Sequence, residues 1–263
     1  METLFPLEFR SFLDNSRICY SQEKNLFIIN RGLFSIKLIT SEDLNNNDFA
    51  YNAVKSDLTL HFDRWNTRRE IVQSMIMVKA GLYESVFARN CFVKKIDKIS
   101  ASLFHLENHL LGAANAKYYY ALFRKSDLKI VAVSSFSNSR RLSRGDETLQ
   151  SYEWVRYSSL KGVRVVGGMS KLLNYFIKEV SPDEVMTYCD SDWSYGTSYE
   201  KLDFKIYSKP QESMYFIDKV TFERMSLNKI RRKFNSLTPD IMDEKYYCLR
   251  TKGNYKFLRR ITL

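Results

Sequence analysis

Residues 185–204 read Val185-Met-Thr-Tyr-Cys-Asp-Ser-Asp-Trp-Ser-Tyr-Gly-Thr-Ser-Tyr-Glu-Lys-Leu-Asp-Phe204, and this stretch decides the fold class. Its apolar beginning is typical of a buried strand, Asp190–Gly196 is typical of a polar loop, and a short helix carrying Tyr199 is predicted to follow. The C-terminal ends of strands are where α/β sheets present ligand-binding side chains. The stretch therefore predicts an α/β fold with a functional loop at the edge of a sheet.

A second strand-to-helix unit lies upstream, where Val163–Val166 predicts a strand and Gly168–Glu179 predicts a helix. Two glycines stand at the turn between them, and a helix N-terminus favours anions. We therefore expect an anionic ligand here; the alternative is a site that no longer binds one. The candidate residues of this turn are Arg164, Val166, Gly167, Gly168 and Ser170.

Length and composition describe a folded chain. Its 263 residues are 44% apolar with only 9 Gly and 4 Pro, which predicts one large or two small globular domains. No apolar run approaches the roughly 20 residues of a membrane-spanning helix, and the N-terminus lacks the pattern of a signal peptide, so we expect a cytoplasmic protein. The four cysteines and three histidines do not have the spacing of a zinc site, and we expect free thiols and no metal.

Positive charge is concentrated near the C-terminus. From Arg224 onward there are 11 basic and 3 acidic residues, which supply +8 of the net +11, and Tyr246, Tyr247, Tyr255 and Phe257 lie among them. Basic residues between aromatic ones suit a phosphate backbone and stacked bases. The alternative is a solubilising tail or a surface for acidic partners. The candidate nucleic-acid residues of this segment are Arg231, Arg232, Lys233, Arg259 and Arg260.

The pattern divides the chain into segments 1–88, 89–222 and 223–263. The first is predicted to hold strands within Asn25–Ile29, Leu33–Ile39 and Leu58–Phe62 and a helix over Arg68–Lys79. The second is predicted to hold strands at Phe92–Ile96, Tyr118–Phe123, Ile130–Phe136 and Tyr152–Ser158, a helix at Ile99–His109 and a basic loop at Asn138–Asp146.

The middle segment resembles the GCN5-related N-acetyltransferase (GNAT) family. Arg164, Gly167 and Gly168 match its Arg/Gln-x-x-Gly-x-Gly/Ala turn, although Met169 stands where a small residue is usual. Ser198-Tyr-Glu-Lys-Leu-Asp-Phe204 matches its Leu-Tyr-Glu-x-Leu-Gly-Phe signature, with Asp replacing Gly. The resemblance implies that the turn binds the pyrophosphate of acetyl-CoA or another acyl-CoA, and that Tyr199 protonates the leaving thiolate. The alternative for Tyr199 is packing in the core.

A narrower resemblance covers nearly the whole chain. Phage homing-endonuclease-like proteins join a very-short-patch-repair-type nuclease domain to such an acyltransferase-like module. The motifs that match them are Phe62-Asp-Arg-Trp65, His109-Leu-Leu-Gly112, Glu153-Trp-Val-Arg156-Tyr157, Val165-Val-Gly-Gly-Met-Ser-Lys-Leu172 and Tyr188-Cys-Asp190-Ser-Asp-Trp193-Ser-Tyr-Gly196. The resemblance implies a phage-encoded protein that acts in the host cytoplasm.

The nuclease half lacks the residues that this resemblance leads one to expect. In the register that fits best, Ile18 stands at the position of the family's Asp, Asn30 at its Glu and Ile36 at its His. An Asn and two isoleucines cannot assemble a Mg²⁺ site. We therefore expect a nuclease-like domain without nuclease activity.

Several polar residues are further candidates for the site. Asp190 and Asp192, beside Trp193 and Tyr195, could orient a substrate amine or hold a metal, or simply cap a loop. Glu153 is a candidate base, and Arg156 would lie on the opposite face of the same strand; the alternative is a buried ion pair. The remaining candidates are His109, which could instead end a helix, and the loop arginines Arg140, Arg141 and Arg144, which could instead be solvated.

Two classes of function follow from these patterns. The first is a DNA-associated protein in which an α+β, GNAT-like mixed sheet flanked by helices stands between a degenerate nuclease-like domain and a basic segment that binds duplex DNA. The second is an acyl-CoA-dependent transferase that modifies DNA or another nucleic acid. A third possibility is an inhibitor that binds an acidic host protein. Whether Met169 covers the amides of Gly167 and Gly168 separates the first two classes.

Overall fold

The computed structural model describes residues 4–45, 55–233, 242 and 244–261. Mixed sheets are flanked by helices, so the fold class is α+β, as the sequence predicts. Within the described ranges, no helix is both long and apolar enough to cross a membrane.

The chain forms two compact units that are not contiguous in sequence. Unit 1 comprises Met1–Val72, Asp190–Tyr195 and Pro210–Asn254; unit 2 comprises Gln73–Cys189, Gly196–Lys209 and Tyr255–Leu263. These units differ from the three consecutive segments that the sequence indicates, because strands near the C-terminus pair with strands of both units. In the segment expected to be a basic tail, the described strands β16 and β17 pair with strands of unit 1 and unit 2, respectively.

Unit 1 contains a four-stranded sheet in the order β1-β2-β3-β4, in which only β3 and β4 are parallel. Its elements are α1 (Phe5–Asn15), β1 (Tyr20–Glu23), β2 (Leu26–Ile29), β3 (Phe34–Ile39), α2 (Ser41–Asn45), β4 (Leu58–His61) and the first part of α3 (Phe62–Lys79). Apolar positions on α1 pack its aromatic side chains against the sheet and α3. Phe9 contacts Phe27 and Trp65 edge-on, with ring centroids 5.0 and 5.5 Å apart.

Unit 1 also contains a three-stranded antiparallel sheet in the order β15-β14-β16, and a short helix, α7, follows the edge strand β15. Its elements are β14 (Ser213–Asp218), β15 (Arg224–Ser226), α7 (Leu227–Lys233) and β16 (Tyr246–Thr251). The buried Met225, Ile230 and Tyr246 form its small core.

Unit 2 contains an eight-stranded mixed sheet, in the order β13-β17-β12-β10-β8-β7-β6 with β9 paired to β10, and a separate parallel pair, β11 with β5. Its strands are β5 (Glu84–Phe87), β6 (Cys91–Lys95), β7 (Tyr118–Arg124), β8 (Ile130–Phe136), β9 (Arg140–Arg144), β10 (Glu147–Ser159), β11 (Val163–Val166), β12 (Glu184–Asp190), β13 (Lys205–Ser208) and β17 (Asn254–Arg260). Its helices are α4 (Lys98–Asn108), α5 (Gly168–Val180) and α6 (Thr197–Glu200), and a one-turn 3-10 helix spans Ala88–Asn90.

Aromatic stacking joins helix α5 to the main sheet of unit 2. Phe176 of α5 lies flat on Phe136 of β8, with ring centroids 3.9 Å apart, and Phe136 in turn stacks on Trp154 of β10. The apolar positions of α5 that face this core recur at helical spacing, which is why the sequence predicts this helix well.

Two local predictions need correction. The basic segment Asn138–Asp146, predicted as a loop, contains strand β9, which pairs with β10 from Arg140 opposite Ser151 to Arg144 opposite Glu147. Its polar, arginine-rich sequence conceals the alternation of a strand because neither face is well buried. Strand β13 follows the predicted short helix and was not foreseen, since all four of its residues are exposed.

Candidate functional site

The glycine turn before helix α5 exposes the start of that helix. Gly167 is exposed, has φ +76° and occupies the N-cap position without any side-chain cap. The amide of Lys171 donates to the Gly167 carbonyl at 3.0 Å, which is the first hydrogen bond of the helix. The amides of Gly168, Met169 and Ser170 precede that bond and carry the positive end of the helix dipole.

Close packing explains the second glycine of the turn. A Cβ on Gly168 would lie 2.7 Å from the Tyr157 hydroxyl and 2.8 Å from Cγ1 of Val165. Met169, the departure from the family pattern, is half-buried, and its side chain packs against the apolar core of unit 2. The bulky residue is thus accommodated by the core.

Cationic and apolar groups flank the turn. Arg164 is exposed, donates to the Tyr83 hydroxyl at 3.0 Å and lies over the Tyr83 ring at 5.4 Å. Val166 is 43% exposed. The Ser170 hydroxyl accepts a long hydrogen bond from the side-chain Nδ2 of Asn174, at 3.5 Å. These residues leave a partly apolar, positively charged surface at the beginning of α5.

Aromatic rings connect the turn to Tyr199. Tyr157, whose hydroxyl would lie 2.7 Å from a Cβ on Gly168, packs edge-on against Trp154 at 6.0 Å, and Trp154 packs edge-on against Tyr199 at 5.9 Å. Burial raises the pKa of Tyr199 to about 12, although a hydrogen bond with the Thr187 hydroxyl acts in the opposite direction. The phenol therefore stays protonated at neutral pH and can donate a proton.

The regular pairing of strands β10 and β12 ends beside these rings. Their parallel register runs from Ser151 opposite Glu184 to Glu153 opposite Met186. One residue further, the Thr187 hydroxyl donates to the Trp154 carbonyl at 3.0 Å, and β10 is irregular against β8 between Trp154 and Arg156. Trp154, one of the rings that link the turn to Tyr199, therefore lies where the regular pairing of β10 ends.

Glu153 and Arg156 have different surroundings. Glu153 is half-buried, and its backbone amide donates to the Ser137 hydroxyl at 2.9 Å. Arg156 donates to the carbonyls of Gly112 at 3.2 Å and Val155 at 2.7 Å. Burial lowers the pKa of Arg156, and the nearby Glu153 carboxylate opposes that shift. Backbone carbonyls therefore fix the position of this guanidinium.

The buried histidine of unit 2 is His105, which the sequence analysis did not single out. Its Nδ1 lies 2.8 Å from the Ser158 hydroxyl and its Nε2 2.7 Å from the Ser135 hydroxyl. Burial, and then Arg156, lower its pKa to about 4, so the ring is neutral at pH 7. The predicted candidate His109 instead ends helix α4, and its Nδ1 accepts from the Leu111 amide at 3.1 Å.

Unit 1 contains a cluster of buried charges around Asp63 at the start of α3. The Asp63 side chain is fully buried and accepts two hydrogen bonds from Arg224, at 2.7 and 2.8 Å. Burial opposes ionisation of Asp63, but the charge of Arg224 outweighs it, so the pKa of Asp63 lies below its usual value. His61 lies beside this pair, and burial followed by the charge of Arg224 lowers its pKa to about 3.

The loop after β12 belongs to the same cluster. Asp190 accepts from the Asp192 amide at 3.0 Å, and the Asp192 carbonyl accepts from the Thr59 amide at 2.8 Å, on the edge of β4. Burial raises the pKa of Asp190, and burial followed by the charge of Asp190 raises that of Asp192 to about 7. Trp193 is half-buried, and the exposed Tyr195 donates to the Ser56 carbonyl at 3.4 Å.

The structure divides the three predicted catalytic residues between the units. Asp190 belongs to unit 1, whereas Tyr199 and Glu153 belong to unit 2. At the positions expected for nuclease residues, Ile18 and Ile36 are buried apolar side chains, and Asn30 lies in the turn after β2 with φ +47°. Among the described residues, no group of three or more His, Cys, Asp or Glu side chains is placed to hold a metal ion.

The predicted nucleic-acid residues lie on several elements. Arg140 and Arg141 are exposed on β9, and Arg231 and Arg232 are exposed on α7. The side chains of Arg144 and Lys233 lie outside the described part of the chain. Near the C-terminus, Arg259 lies 3.6 Å from Asp203, and Arg260 lies 3.5 Å from Glu147 and 3.6 Å from Glu184. Part of the C-terminal charge is therefore balanced by acidic neighbours.

No protein-family model matches the chain, and no curated protein matches it. Solved structures that it resembles include a Bacillus subtilis acetyltransferase in complex with CoA, at 10% identity and a TM-score of 0.38 over 65% of this chain and 99% of that one. A GNAT-family acetyltransferase from Bacillus anthracis has 12% identity and a TM-score of 0.35 over 65% and 95%. FdhC, a nucleotide-linked sugar GNAT, has 10% identity and a TM-score of 0.39 over 68% and 90%. The α+β class of this chain rests on its own sheets and helices.

Proposed function

We propose that unit 2 is a GNAT-like module that binds a coenzyme A-type acyl donor at the turn 164–170 and transfers its acyl group. The observation that carries this proposal is the contact chain from the exposed glycine turn, through Tyr157 and Trp154, to Tyr199. It joins a helix start suited to anions to a half-buried proton donor within one unit.

The turn suits the pyrophosphate of such a donor. The first amides of a 13-residue helix point out of its N-terminus, and Gly167 adds no side chain in front of them. Arg164 stands exposed on the preceding strand and supplies a positive charge. In proteins, phosphate oxygens accept hydrogen bonds from backbone amides and guanidinium groups.

The donor would supply an acyl group activated as a thioester. During transfer the acyl–sulfur bond breaks and a bond forms between the acyl carbon and a nucleophile of the acceptor. Tyr199 would give its hydroxyl proton to the departing sulfur and regain a proton from solvent afterwards, and its phenol is protonated at neutral pH. Glu153, half-buried on β10, is the proposed base that takes the proton from the acceptor.

Acyl-donor binding is tested by isothermal titration calorimetry with acetyl-CoA. Gly167→Asn keeps a residue type that tolerates positive φ but adds an amide side chain at the turn. We expect at least tenfold weaker binding. The matched control is Gly162→Asn, at φ +72° and with nothing within 4 Å of an added Cβ, which should bind as the parent does; at Gly167 the added Cβ makes only an ordinary contact, 3.6 Å from Cβ of Ala88. Equal affinity of all three proteins would remove the turn from the proposal.

Catalysis is tested separately with Tyr199→Phe, which removes the proton and leaves the ring contacts. With an acceptor amine supplied, we expect acyl transfer to fall by about 10²–10⁴-fold, the usual contribution of general acid–base catalysis, while acetyl-CoA affinity is unchanged. Full activity in this variant would assign Tyr199 to packing alone.

A second proposed function is binding to duplex DNA, supported by the exposed arginines of β9 and α7. A two-stranded ribbon such as β9–β10 can approach a DNA groove, and arginines on it can contact phosphates. This proposal keeps the nuclease-like domain as a scaffold without cleavage activity in a phage-type protein. An acidic host protein is the alternative partner for the same surfaces.

Fluorescence anisotropy with a labelled duplex at 50 and 200 mM salt tests this second proposal. If the arginines contact phosphates, affinity should fall steeply with salt, and Arg140→Gln with Arg141→Gln should reduce both the affinity and the salt slope. Arg231→Gln with Arg232→Gln separates the contribution of α7. Salt-independent or undetectable binding would leave an acidic protein as the partner to be sought.

A further inference from the structure

A cavity of about 460 Å³ lies between β5, the 3-10 helix that follows it and the turn that joins β7 to β8, all within unit 2. Phe87, Asn90, Arg124 and Lys125 are among the residues that line it, and we call it the Phe87 cavity. Its volume lies within the range of small-molecule sites, about 300–1,000 Å³. None of these four side chains has a role in the proposed acyl transfer.

An exposed aromatic ring forms part of the cavity wall. Phe87, the last residue of β5, is 42% exposed, whereas Val86 before it is buried, because a strand directs successive side chains to opposite faces. The Arg89 guanidinium lies over the Phe87 ring, 4.8 Å from its centroid. An open ring with a cation beside it suits a planar aromatic group that carries negative charge.

Basic side chains outnumber acidic ones around the Phe87 cavity. Its framing residues, 84–90 and 124–129, include Arg89, Arg124, Lys125 and Lys129 against Glu84 and Asp127. Arg124 contacts both carboxylates: it donates to Asp127 at 2.6 and 3.0 Å, and it also pairs with Glu84. Arg89 and Lys125 are exposed and have no ion pair with any described residue, so their charges are available to an anion.

Uncharged polar groups complete the lining. Asn90 is exposed at the cavity, and its backbone carbonyl accepts from the Lys125 amide at 3.0 Å, which fixes the 3-10 helix beside the β7–β8 turn. The Asn90 carboxamide has both donors and an acceptor, as the edge of a nucleobase does. The hydroxyls of Ser85 and Ser126 also line the cavity, and each can donate or accept a hydrogen bond.

We propose that the Phe87 cavity binds a mononucleotide. Its base stacks on the Phe87 ring, the edge of the base meets the Asn90 carboxamide, and its phosphate is held by Lys125 and Arg89. One exposed ring in a cavity of this volume accommodates one base, whereas a site for a nucleic-acid strand repeats such rings along a groove. The proposal requires neither acyl transfer nor duplex DNA binding.

Isothermal titration calorimetry of the full chain with AMP, at up to about 5 mM, tests the site. We expect saturable binding. Phe87→Leu keeps an apolar side chain but removes the ring, and it should weaken AMP binding at least fivefold, as expected for a base stacked on an aromatic side chain. The matched control is Phe92→Leu, which alters a 37% exposed phenylalanine of β6 that stacks on Phe123 outside the cavity lining, and it should bind AMP as the parent does.

The base and the phosphate are tested separately. Lys125→Gln should weaken AMP binding several-fold and leave adenosine binding unchanged, because it removes a charge that only the phosphate meets. Ribose 5-phosphate, which has no base, should bind the parent at least fivefold more weakly than AMP does. Gly167→Asn, which alters the glycine turn of the acyl-donor site, should bind AMP as the parent does.

Four outcomes would overturn the proposal. They are no AMP binding over this range, equal AMP affinity of Phe87→Leu and the parent, equal affinity for ribose 5-phosphate and AMP, and a loss of AMP binding in Gly167→Asn alone, which would place the phosphate at the glycine turn. A single-stranded oligodeoxyadenylate that binds the parent far more tightly than AMP does would also overturn it, because nucleic acid would then be the ligand. Loss of acetyl-CoA binding or transfer without loss of AMP binding would affect the acyl-transfer proposal and leave this one standing.

Discussion

The two units differ in what surrounds their ionisable side chains. Around Asp63, unit 1 buries carboxylates, arginines and a histidine together, so that burial and the charges of neighbouring groups both shift their pKa values. Around Tyr199, unit 2 packs tyrosine hydroxyls among aromatic rings, and burial raises the pKa of Tyr199 and of Tyr157 to about 12. Substitutions in unit 1 should therefore change stability and its pH dependence, whereas substitutions in unit 2 should act through packing and proton donation.

The largest expected effect comes from breaking the buried ion pair of unit 1. Arg224→Met leaves the fully buried Asp63 carboxylate without its partner, and we expect a loss of about 3–5 kcal/mol in the free energy of unfolding. Urea denaturation followed by tryptophan fluorescence measures it. The matched control is Lys229→Met, which removes an ion pair to Glu223 that is exposed on both sides, and it should cost less than about 1 kcal/mol.

A double variant sharpens this test. Asp63→Leu combined with Arg224→Met removes both charges, and it should recover most of the stability lost in Arg224→Met alone. If the double variant is less stable than either single one, Asp63 and Arg224 have independent roles and the cluster is not held together by their pairing.

The next effect concerns the crowded glycine of unit 2. Gly168→Ala places a methyl group 2.7 Å from the Tyr157 hydroxyl, and such overpacking should cost about 1–3 kcal/mol. Tyr157→Phe removes that hydroxyl, so the double variant should regain part of the loss, limited by the remaining contact with Val165. Thermal unfolding of the four proteins gives the coupling energy; a coupling of zero would mean that the helix start shifts to avoid the clash.

The ion pair of unit 1 and the glycine turn of unit 2 differ in how far the sequence could predict them. Apolar runs predicted the strands that hold both sites, and the glycines predicted the turn before α5, because these are local patterns. The pairing of Asp63 with Arg224 joins residues 161 positions apart, and no local pattern announces it. His105 was missed for a related reason: it occupies a core-facing position of a helix, and the two serines that bind it come from strands 30 and 53 residues away.

The two compact units differ from the three consecutive segments for the same physical reason. Strands β14 and β16 pair although 27 residues separate them in the chain, and the basic strand β17 joins the sheet of unit 2. Charge composition indicated a tail, whereas backbone pairing determines where these strands lie. Likewise, Asp190 and Tyr199 are close in sequence but belong to different units, which adjacency in the chain cannot show.

A smaller effect is the pH dependence of stability that Asp192 gives to the charged cluster of unit 1. The pKa of Asp192 is raised to about 7 in the folded chain, so the folded state binds this proton more tightly than the unfolded state does. Its contribution to stability is present below the ordinary Asp pKa and is lost as the pH rises through about 7. Asp192→Asn should therefore stabilise the protein at pH 8 by on the order of 1–2 kcal/mol, and have little effect at pH 4.

Unfolding midpoints in urea between pH 4 and 9 measure this difference. His61 works in the opposite direction, because its lowered pKa costs stability as the pH falls below the ordinary histidine value. Comparing Asp192→Asn with the parent at each pH cancels that contribution. The control is Asp146→Asn, which removes an exposed aspartate in the β9–β10 turn. A parallel shift of both variants would exclude Asp192 as the titrating group.

The smallest expected effect on stability comes from changing Tyr199. Its hydroxyl does not titrate near neutral pH, in contrast to the charged cluster of unit 1. Tyr199→Phe keeps the ring contacts with Trp154, Phe204 and Phe257 and removes one hydroxyl with its hydrogen bond to Thr187. Losing one neutral hydrogen bond costs about 0.5–1.5 kcal/mol, and burying a less polar ring returns part of it, so we expect a change below about 1 kcal/mol at every pH from 5 to 9. Thermal unfolding across that range measures it. A phenol with a pKa of about 12 does not titrate between pH 5 and 9. A pH-dependent difference between the variant and the parent would therefore show that Tyr199 is coupled to another ionising group. That group would place a charge among the aromatic rings of unit 2.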